Sequence, residues 1–250
     1  MSDRRNVIYL YDGSFEGLLT TVFESFSLHL FPTAIETTEN GQQTLGAEYI
    51  HINTDSPKAE RVLSRVLSDS GDRPLLDLYR CFLSNIEYKE MNIFNYIRAC
   101  MQFKKSVNSH LTVECVGNVV SASQAVGGEA HLYTGFVRFS ELENGVYYGR
   151  IEPKNNILPL IASHFVSRYS NMPFIIHDTA REKCLVYNGK SCEIHEVHGI
   201  PLLNFSSAES KYRKMWKSFY DTIEIKERHN EQCRMTHMPK RYWKFMTEFW

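Results

Sequence analysis

The sequence predicts an α/β (α+β) protein with a mainly antiparallel central sheet and a helix packed on it. Strand-like runs alternate with helical segments at the start of the chain, a pattern typical of a small α/β layer. Five strand-like runs then follow closely between 134 and 198. The last fifth of the chain combines helical periodicity with basic and aromatic side chains, which predicts a basic helical tail.

The first predicted part, 1–106, is a strand–helix layer with a helical extension. A buried strand over 7–11 runs into a turn in which Asp12 or Ser14 caps a helix. A second strand over 49–52 ends at an Asn53–Pro57 stretch whose proline suits a first helical turn. Three further helices are predicted over 57–69, 74–87 and 90–104.

The second predicted part, 107–200, combines a helix pair with the antiparallel sheet. Helical segments over 111–125 and up to 132, joined by Gly127-Gly128, resemble a helix-turn-helix and hence a DNA-reading element. Glycine-joined helix pairs also occur in ordinary cores, and that alternative stays open. The strands are predicted over 135–139, 145–151, 174–177, 184–187 and 192–197, with a helix over about 157–169 between the second and third.

The third predicted part, 201–250, is the basic aromatic tail; the three parts together are also compatible with one compact domain. A helix over 207–226 carries an apolar stripe that we expect to be buried against the sheet: Tyr212, Trp216, Phe219 and Ile223. On that basis Trp216→Ala should cost roughly 3–5 kcal/mol. Pro239 is expected to open a second, short helix.

The charge distribution indicates a nucleic-acid partner. Segment 211–250 holds ten Lys and Arg against five Asp and Glu, whereas 1–70 holds five against ten. Basic and aromatic side chains together suit phosphate pairing and base stacking. The predicted contact residues are Arg138, Arg150, Lys154, His164, Arg168, Lys240, Arg241, Trp243 and Lys244.

Several of these positions also have an ordinary structural explanation. Arg138 and Arg150 are expected on neighbouring strands, with Phe136 sharing a strand face with Arg138, and Glu152 beside Arg150 could simply form a surface ion pair. His164 and Arg168, four apart on a helix, share a face that solvent alone could cover. In the tail, Arg241 could pair with Glu227 or Glu231 while Trp243 closes the core.

No residue pattern identifies a reaction, so the catalytic residues are unknown and no cofactor or metal is expected. The six cysteines lack the close spacing of zinc or iron–sulfur sites, and we expect reduced thiols. No apolar run approaches the length of a membrane span, which predicts a cytoplasmic protein with no membrane contact.

Several blocks of the chain resemble one bacterial family. They are YDGSFEGLL (11–19), GFVRF (135–139), VYYGRIEPKNNILPL (146–160), WK (216–217), IKER (225–228) and HMPKRYW (237–243). The family is of unknown function and is labelled a probable DNA metabolism protein. Its members are associated with a radical S-adenosylmethionine protein thought to act in DNA modification or repair, and related domains are fused to a uracil-DNA-glycosylase-like domain. The resemblance implies no catalytic residues.

Three functions therefore remain open from the sequence. The first is a DNA-binding accessory factor that presents DNA to a partner radical S-adenosylmethionine enzyme. The second is a DNA-processing enzyme of glycosylase or nuclease type, using His164, Asp178 or Glu152 in a cleft over the sheet. The third is a scaffold whose basic tail docks an acidic protein. RNA stays open beside DNA, because a stacking surface accepts either sugar.

Overall fold

A computed structural model describes residues 6–38, 45–199, 204–223, 225 and 230–249. The fold is mixed α/β, as predicted, with a three-stranded and a five-stranded sheet. The chain forms two compact units, Met1–Val126 and Gly127–Trp250. Each is described separately below.

The first unit is built on a parallel sheet in which β1 (Val7–Tyr11) lies between β2 (Ala34–Thr37) and β3 (Glu48–His51). All five residues of β1 are buried, as expected of a central parallel strand. Ser14 caps the following helix, α1 (Phe15–Ser27), by accepting a hydrogen bond from Gly17 N. β2 was not predicted from the sequence, because its four residues are too few to show a period.

The helical extension follows the predicted order. It comprises α2 (Ser56–Ser70), α3 (Asp72–Leu83), α4 (Lys89–Phe103) and a 3-10 helix over Lys104–Ser109. Asp55 caps α2 by accepting from Lys58 N, with proline in the first turn as expected. The largest fully buried side chains of this unit include Tyr9, Tyr11, Phe94 and Tyr96.

The predicted helix-turn-helix is wrong. A single helix, α5 (Glu114–Phe136), runs through Gly127-Gly128 without a turn. Glycine inside a helix costs about 0.5–1 kcal/mol relative to alanine, and here burial of the flanking side chains outweighs that cost. Val126, Ala130 and Tyr133 are all buried.

The sheet of the second unit has the order β4 (Phe139–Glu141), β5 (Tyr147–Ile151), β6 (Phe174–Asp178), β7 (Lys183–Tyr187), β8 (Cys192–Glu196). The β5–β6 pair is parallel and the other pairs are antiparallel, so the sheet is mainly antiparallel, as predicted. Helix α6 (Leu158–Arg168) connects the parallel pair. It buries Ile161 and Phe165 in one core with Ile176 and Leu185 of the sheet.

The start of β4 corrects a further expectation. Helix α5 continues to Phe136, and β4 begins only at Phe139. Phe136 and Arg138 therefore do not share a strand face. Arg150 lies on β5 as predicted, but Arg138 precedes β4 and is not on a strand; it is next to Phe139, which pairs with Gly149.

The tail consists of α7 (Glu209–Ile223), α8 (Glu231–His237) and two 3-10 helices, Lys240–Phe245 and Thr247–Phe249. Pro239 precedes the first 3-10 helix, as expected. Positions 224 and 226 of the predicted helix end, and Glu227, lie outside the described residues.

The predicted burial of the α7 stripe is wrong. Tyr212, Trp216, Phe219 and Ile223 are 61%, 41%, 54% and 61% exposed. The core on the α6 side of the sheet is instead completed by Tyr242 and Met246, which are buried in the same cluster as Ile161 and Phe165. The apolar stripe of α7 is therefore only partly buried.

The sequence also predicts reduced cysteine thiols and no membrane-spanning segment. All six cysteines carry free thiols, and burial raises the pKa of Cys81 to about 12 and that of Cys184 to about 11. Over the described ranges, no helix is both long and apolar enough to cross a bilayer.

Candidate nucleic-acid interface

A groove of about 990 Å³ opens in the second unit. We call it the aromatic groove. Its walls come from the C-terminal end of α5, from β4 and β5, from α6 and from α7. The lining side chains include Tyr212, Trp216 and Phe219 of α7 and His164 and Arg168 of α6.

The α7 wall presents aromatic rings to solvent. The rings of Trp216 and Phe219 lie 5.8 Å apart and are tilted by 31°. With Tyr212 they project on successive turns of one helix face. Tyr212 and Phe219 are more than half exposed and Trp216 is 41% exposed, so the three offer ring surface on which bases can stack.

Helix α6 contributes a second part of the wall. His164 and Arg168 are exposed and both line the groove, as their i, i+4 spacing predicted. Among the described residues, no carboxylate forms an ion pair with Arg168. Its guanidinium is therefore available to a phosphate.

Glu248 joins two residues of the groove wall, Arg138 and Trp216. It accepts hydrogen bonds from Arg138 Nη2 at 2.7 Å and from Trp216 Nε1 at 3.2 Å. Burial opposes ionisation of Glu248, but the hydrogen bonds from Arg138 and Trp216 outweigh it and hold its pKa below the usual value. The carboxylate thus fixes the positions of Arg138 and Trp216.

A smaller cavity of about 20 Å³ lies beside the groove. We call it the arginine cavity. It is lined by Arg138, Arg150 and Arg213 together with Ser140, Tyr148, Phe205, Phe245 and Thr247. Arg138, Arg213 and Thr247 line both the cavity and the groove.

Arg213 is fixed by a buried carboxylate. Its Nε donates to Glu209 at 2.7 Å and its Nη2 to Ser140 Oγ at 2.7 Å. Burial of Glu209 opposes ionisation, but bonds from Arg213, Ser140 and the Glu141 amide lower its pKa below the usual value. This contact joins the first turn of α7 to β4.

Tyr148, which lines the arginine cavity, forms a buried pair with His177. The Tyr148 hydroxyl lies 2.6 Å from Nδ1 of His177. Burial raises the pKa of Tyr148 to about 12. Burial also lowers the pKa of His177, and Arg150 lowers it further, against an opposing effect of Asp178. Both partners are therefore neutral at pH 7, and Arg150 is the cation beside them.

The tail residues predicted as contacts are engaged elsewhere. Arg241 pairs with Glu129 at 3.4 Å, rather than with Glu231, and Lys244 pairs with Glu152. Trp243 stacks on Phe249 at 4.2 Å, and Lys240 lies 5.8 Å from the Trp243 ring centre. These contacts match the structural alternative for the tail more closely than a free basic surface.

Lys154 is likewise not part of the groove. Its amide donates to Glu129 at 3.0 Å, and its carbonyl accepts from Arg181. The structure therefore brings Arg138, His164 and Arg168 together in the aromatic groove and places Arg150 in the adjacent cavity.

The residues considered for an enzyme do not converge on the groove. Asp178 is fully buried and paired with Arg181 at 3.1 Å, and Glu152 is paired with Lys244. Of the three candidates, His164 lines the groove, whose walls include neither Asp178 nor Glu152. Within the described part of the chain, no three His, Cys, Asp or Glu side chains are placed to hold a metal ion.

Sequence reasoning missed Arg213 and misassigned the α7 aromatics. Their periodicity revealed a common face, but the same stripe fits burial and exposure equally well. The signal in the sequence that favoured exposure was the excess of cations on α7. The helix carries Lys211, Arg213, Lys214 and Lys217 against Glu209 and Asp221.

Comparison with known proteins gives a family but no activity. Residues 87–248 match the family model described as a domain of unknown function, DUF4130. No curated protein matches the chain.

Proposed function

The chain belongs to the DUF4130 family of domains of unknown function, and we propose that its second unit binds single-stranded nucleic acid, with DNA as the natural partner, in the aromatic groove. The observation that carries the proposal is the exposure of Tyr212, Trp216 and Phe219 in a groove that Arg168 also lines. Exposed rings beside a cation are what a stacking platform for single strands requires.

The exposed stripe needs a functional explanation because it is costly in water. Tyr212, Met215, Trp216, Phe219 and Ile223 form one contiguous apolar face on α7. Large exposed apolar patches mark interaction sites. The adjacent Lys214 and Lys217 make an anionic partner more suitable than a neutral one.

The protein acts, on this proposal, as an accessory factor in DNA metabolism or repair in the cytoplasm. It presents a bound strand to a radical S-adenosylmethionine protein, the partner that the family resemblance suggests. An accessory role agrees with a groove that offers stacking and charge without converging acid–base groups. Co-elution of the two purified proteins, strengthened by a single-stranded oligonucleotide, is the expected result; independent elution with and without the strand argues against this partner.

The direct test replaces Phe219 and Tyr212 with alanine and measures oligonucleotide affinity by fluorescence anisotropy. Loss of one aromatic–base stack costs roughly 1–3 kcal/mol, so each variant should bind a single-stranded 12-mer about tenfold more weakly. Both side chains are exposed, so the melting temperature should hardly change.

The matched control is Tyr88→Ala. Tyr88 is 77% exposed and lies in the first unit, outside the groove. This variant should bind the oligonucleotide as the parent does. Equal affinity of the parent and both groove variants would exclude the groove as the binding site.

A protein partner is the second candidate, because an apolar helix face also suits a groove in another protein. The salt dependence of binding separates the two. Arg168→Ala should reduce the slope of log K against log salt by about 0.7, the value for one phosphate of a single strand. Lys190→Ala, an exposed cation in the β7–β8 turn, serves as the control.

A further inference from the structure

We infer that the arginine cavity binds a terminal phosphate, so that the protein prefers nucleic-acid strands whose end carries a phosphomonoester. The inference rests on the proposed function, since the strand itself lies in the aromatic groove. The ligand class is a strand end with its phosphate, in contrast to an internal phosphodiester.

Arg150 is the residue that points to an anion. Its guanidinium lies 5.0 Å from the Phe245 ring centre and is only partly exposed. No carboxylate pairs with it among the residues that the structure describes, whereas Arg138 pairs with Glu248 and Arg213 with Glu209. A partly buried cation is normally paired. A bound anion would supply the missing partner.

The charges around the cavity leave a positive excess. Three guanidinium groups face it, and the two buried carboxylates that hold Arg138 and Arg213 offset two of them. The neighbouring His177 is held neutral by burial, so it adds no charge. Because Glu248 and Glu209 fix two of the arginines in place, little reorganisation is needed when an anion enters.

The shape of the cavity favours a chain end. Its volume of about 20 Å³ admits an oxygen or two of an anion, and the Phe205 and Phe245 rings form part of its wall. An internal phosphate carries a sugar on both sides, whereas a terminal phosphate has one ester link. A monoester also carries about −1.5 to −2 charges at pH 7, against −1 for a diester.

The position of the cavity connects it to the strand. Arg138, Arg213 and Thr247 belong to the walls of both the cavity and the groove. A strand stacked on Trp216 therefore has its next phosphate beside Arg138, whose guanidinium lies 5.9 Å from the Trp216 ring centre.

The test is a competition titration with three unlabelled single-stranded 12-mers of one sequence. One has a 5′-phosphate, one a 3′-phosphate, and one has hydroxyls at both ends; each displaces a labelled hydroxyl-ended strand. One phosphorylated strand should compete about tenfold better than the hydroxyl-ended strand. Millimolar inorganic phosphate should remove that preference, whereas sodium chloride of equal ionic strength should not.

Arg150→Gln should abolish the preference for the phosphorylated strand, while Lys190→Gln should keep it. Equal competition by all three strands on the parent protein overturns the inference and leaves groove binding intact. Failure of every strand to bind overturns the proposed function instead. The phosphate competition uses the parent protein, so the test holds even where the Arg150 variant folds poorly.

Discussion

At the scale of single residues, Glu248 joins Arg138 to Trp216 of α7. Its side chain is almost fully buried and accepts from Arg138 and Trp216, which belong to segments far apart in the sequence. Removing one partner of a buried ion pair is costly because the other charge loses its compensation. A carboxylate in the last turn of the chain thereby positions both a cation and a ring of the candidate site.

We predict that Glu248→Gln lowers the free energy of unfolding by about 2 kcal/mol at pH 7, since a hydrogen bond to a charged group contributes ~1.5–3 kcal/mol. The loss of stability should lie in the lower part of this range because Arg138 is partly exposed. Chemical denaturation of both proteins measures the difference. Glu152→Gln is the control: its ion pair with Lys244 is exposed and should contribute less than about 1 kcal/mol.

The same pair of proteins gives a pH prediction with a definite sign. The folded-state pKa of Glu248 is lowered, so its stabilisation is present above the unfolded-state pKa and is lost as pH falls through the folded value. The stability difference between parent and Glu248→Gln should therefore be full at pH 7 and shrink below pH ~4.3, the ordinary glutamate pKa. A difference that grows on acidification would contradict this assignment.

At the scale of elements, α7 is attached through its first turn and one side. Glu209 is its buried residue, and Tyr220 packs edge-on against Phe249 at 5.7 Å. Tyr212 and Phe219 are more than half exposed, so we expect their rings to contribute little to stability. We therefore expect Trp216→Ala to lower the free energy of unfolding by less than burial of the ring had predicted.

Two phenylalanines of the groove provide the comparison. Phe219→Ala should change the unfolding free energy by less than about 1 kcal/mol, because the ring is 54% exposed. Phe165→Ala should cost about 3–5 kcal/mol, because that ring is 2% exposed in the core. Thermal and urea unfolding of both variants test this contrast. Similar costs for the two would show that α7 is part of the core after all.

Helix α5 yields a matched pair of glycine substitutions. A Cβ on Gly128 meets nothing within 4 Å, whereas one on Gly117 lies 2.8 Å from the Leu111 carbonyl oxygen. Gly128→Ala should therefore stabilise the protein by about 0.5–1 kcal/mol through helix propensity, and Gly117→Ala should destabilise it. A loss of stability for Gly128→Ala would indicate that a turn at this point is needed after all.

The elements that sequence reasoning predicted well have local causes. Ser14 and Asp55 signal helix starts through their own side-chain caps, and both cap as expected. β2 and the continuity of α5 depend on distant packing, which local patterns do not report. The exposure of α7 depends on which segment fills the core of the second unit. Tyr242 and Met246 occupy that core, and the apolar residues of α7 do not.

At the scale of the whole molecule, the near-neutral charge conceals two opposite units. Met1–Val126 has eleven Lys and Arg against fifteen Asp and Glu, a net charge of −4. Gly127–Trp250 has seventeen against fourteen, a net charge of +3. Long-range attraction of nucleic acid is therefore expected of the second unit alone.

The candidate site was predictable in part for the same reason. His164 and Arg168 share a helix face whatever the tertiary structure, so their convergence followed from spacing alone. The ion pairs of the tail cations could not be predicted from spacing. Arg241 pairs with Glu129 and Lys244 with Glu152, and both carboxylates are remote in sequence. Composition identifies a basic segment over 211–250, but only the fold determines which cations form ion pairs.

The choice between single strands and duplex is the prediction that concerns the whole protein. Stacking on Tyr212, Trp216 and Phe219 needs base faces that a duplex hides between its own neighbours. We expect a single-stranded 12-mer to bind at least tenfold more tightly than the same sequence as duplex, measured by anisotropy in one buffer. The Phe219→Ala variant should lose affinity for the single strand and little for the duplex, because duplex contacts are to phosphates alone. Tighter binding of duplex by the parent, with no effect of Phe219→Ala, would mean that charge attracts the nucleic acid and that the rings of α7 serve another partner.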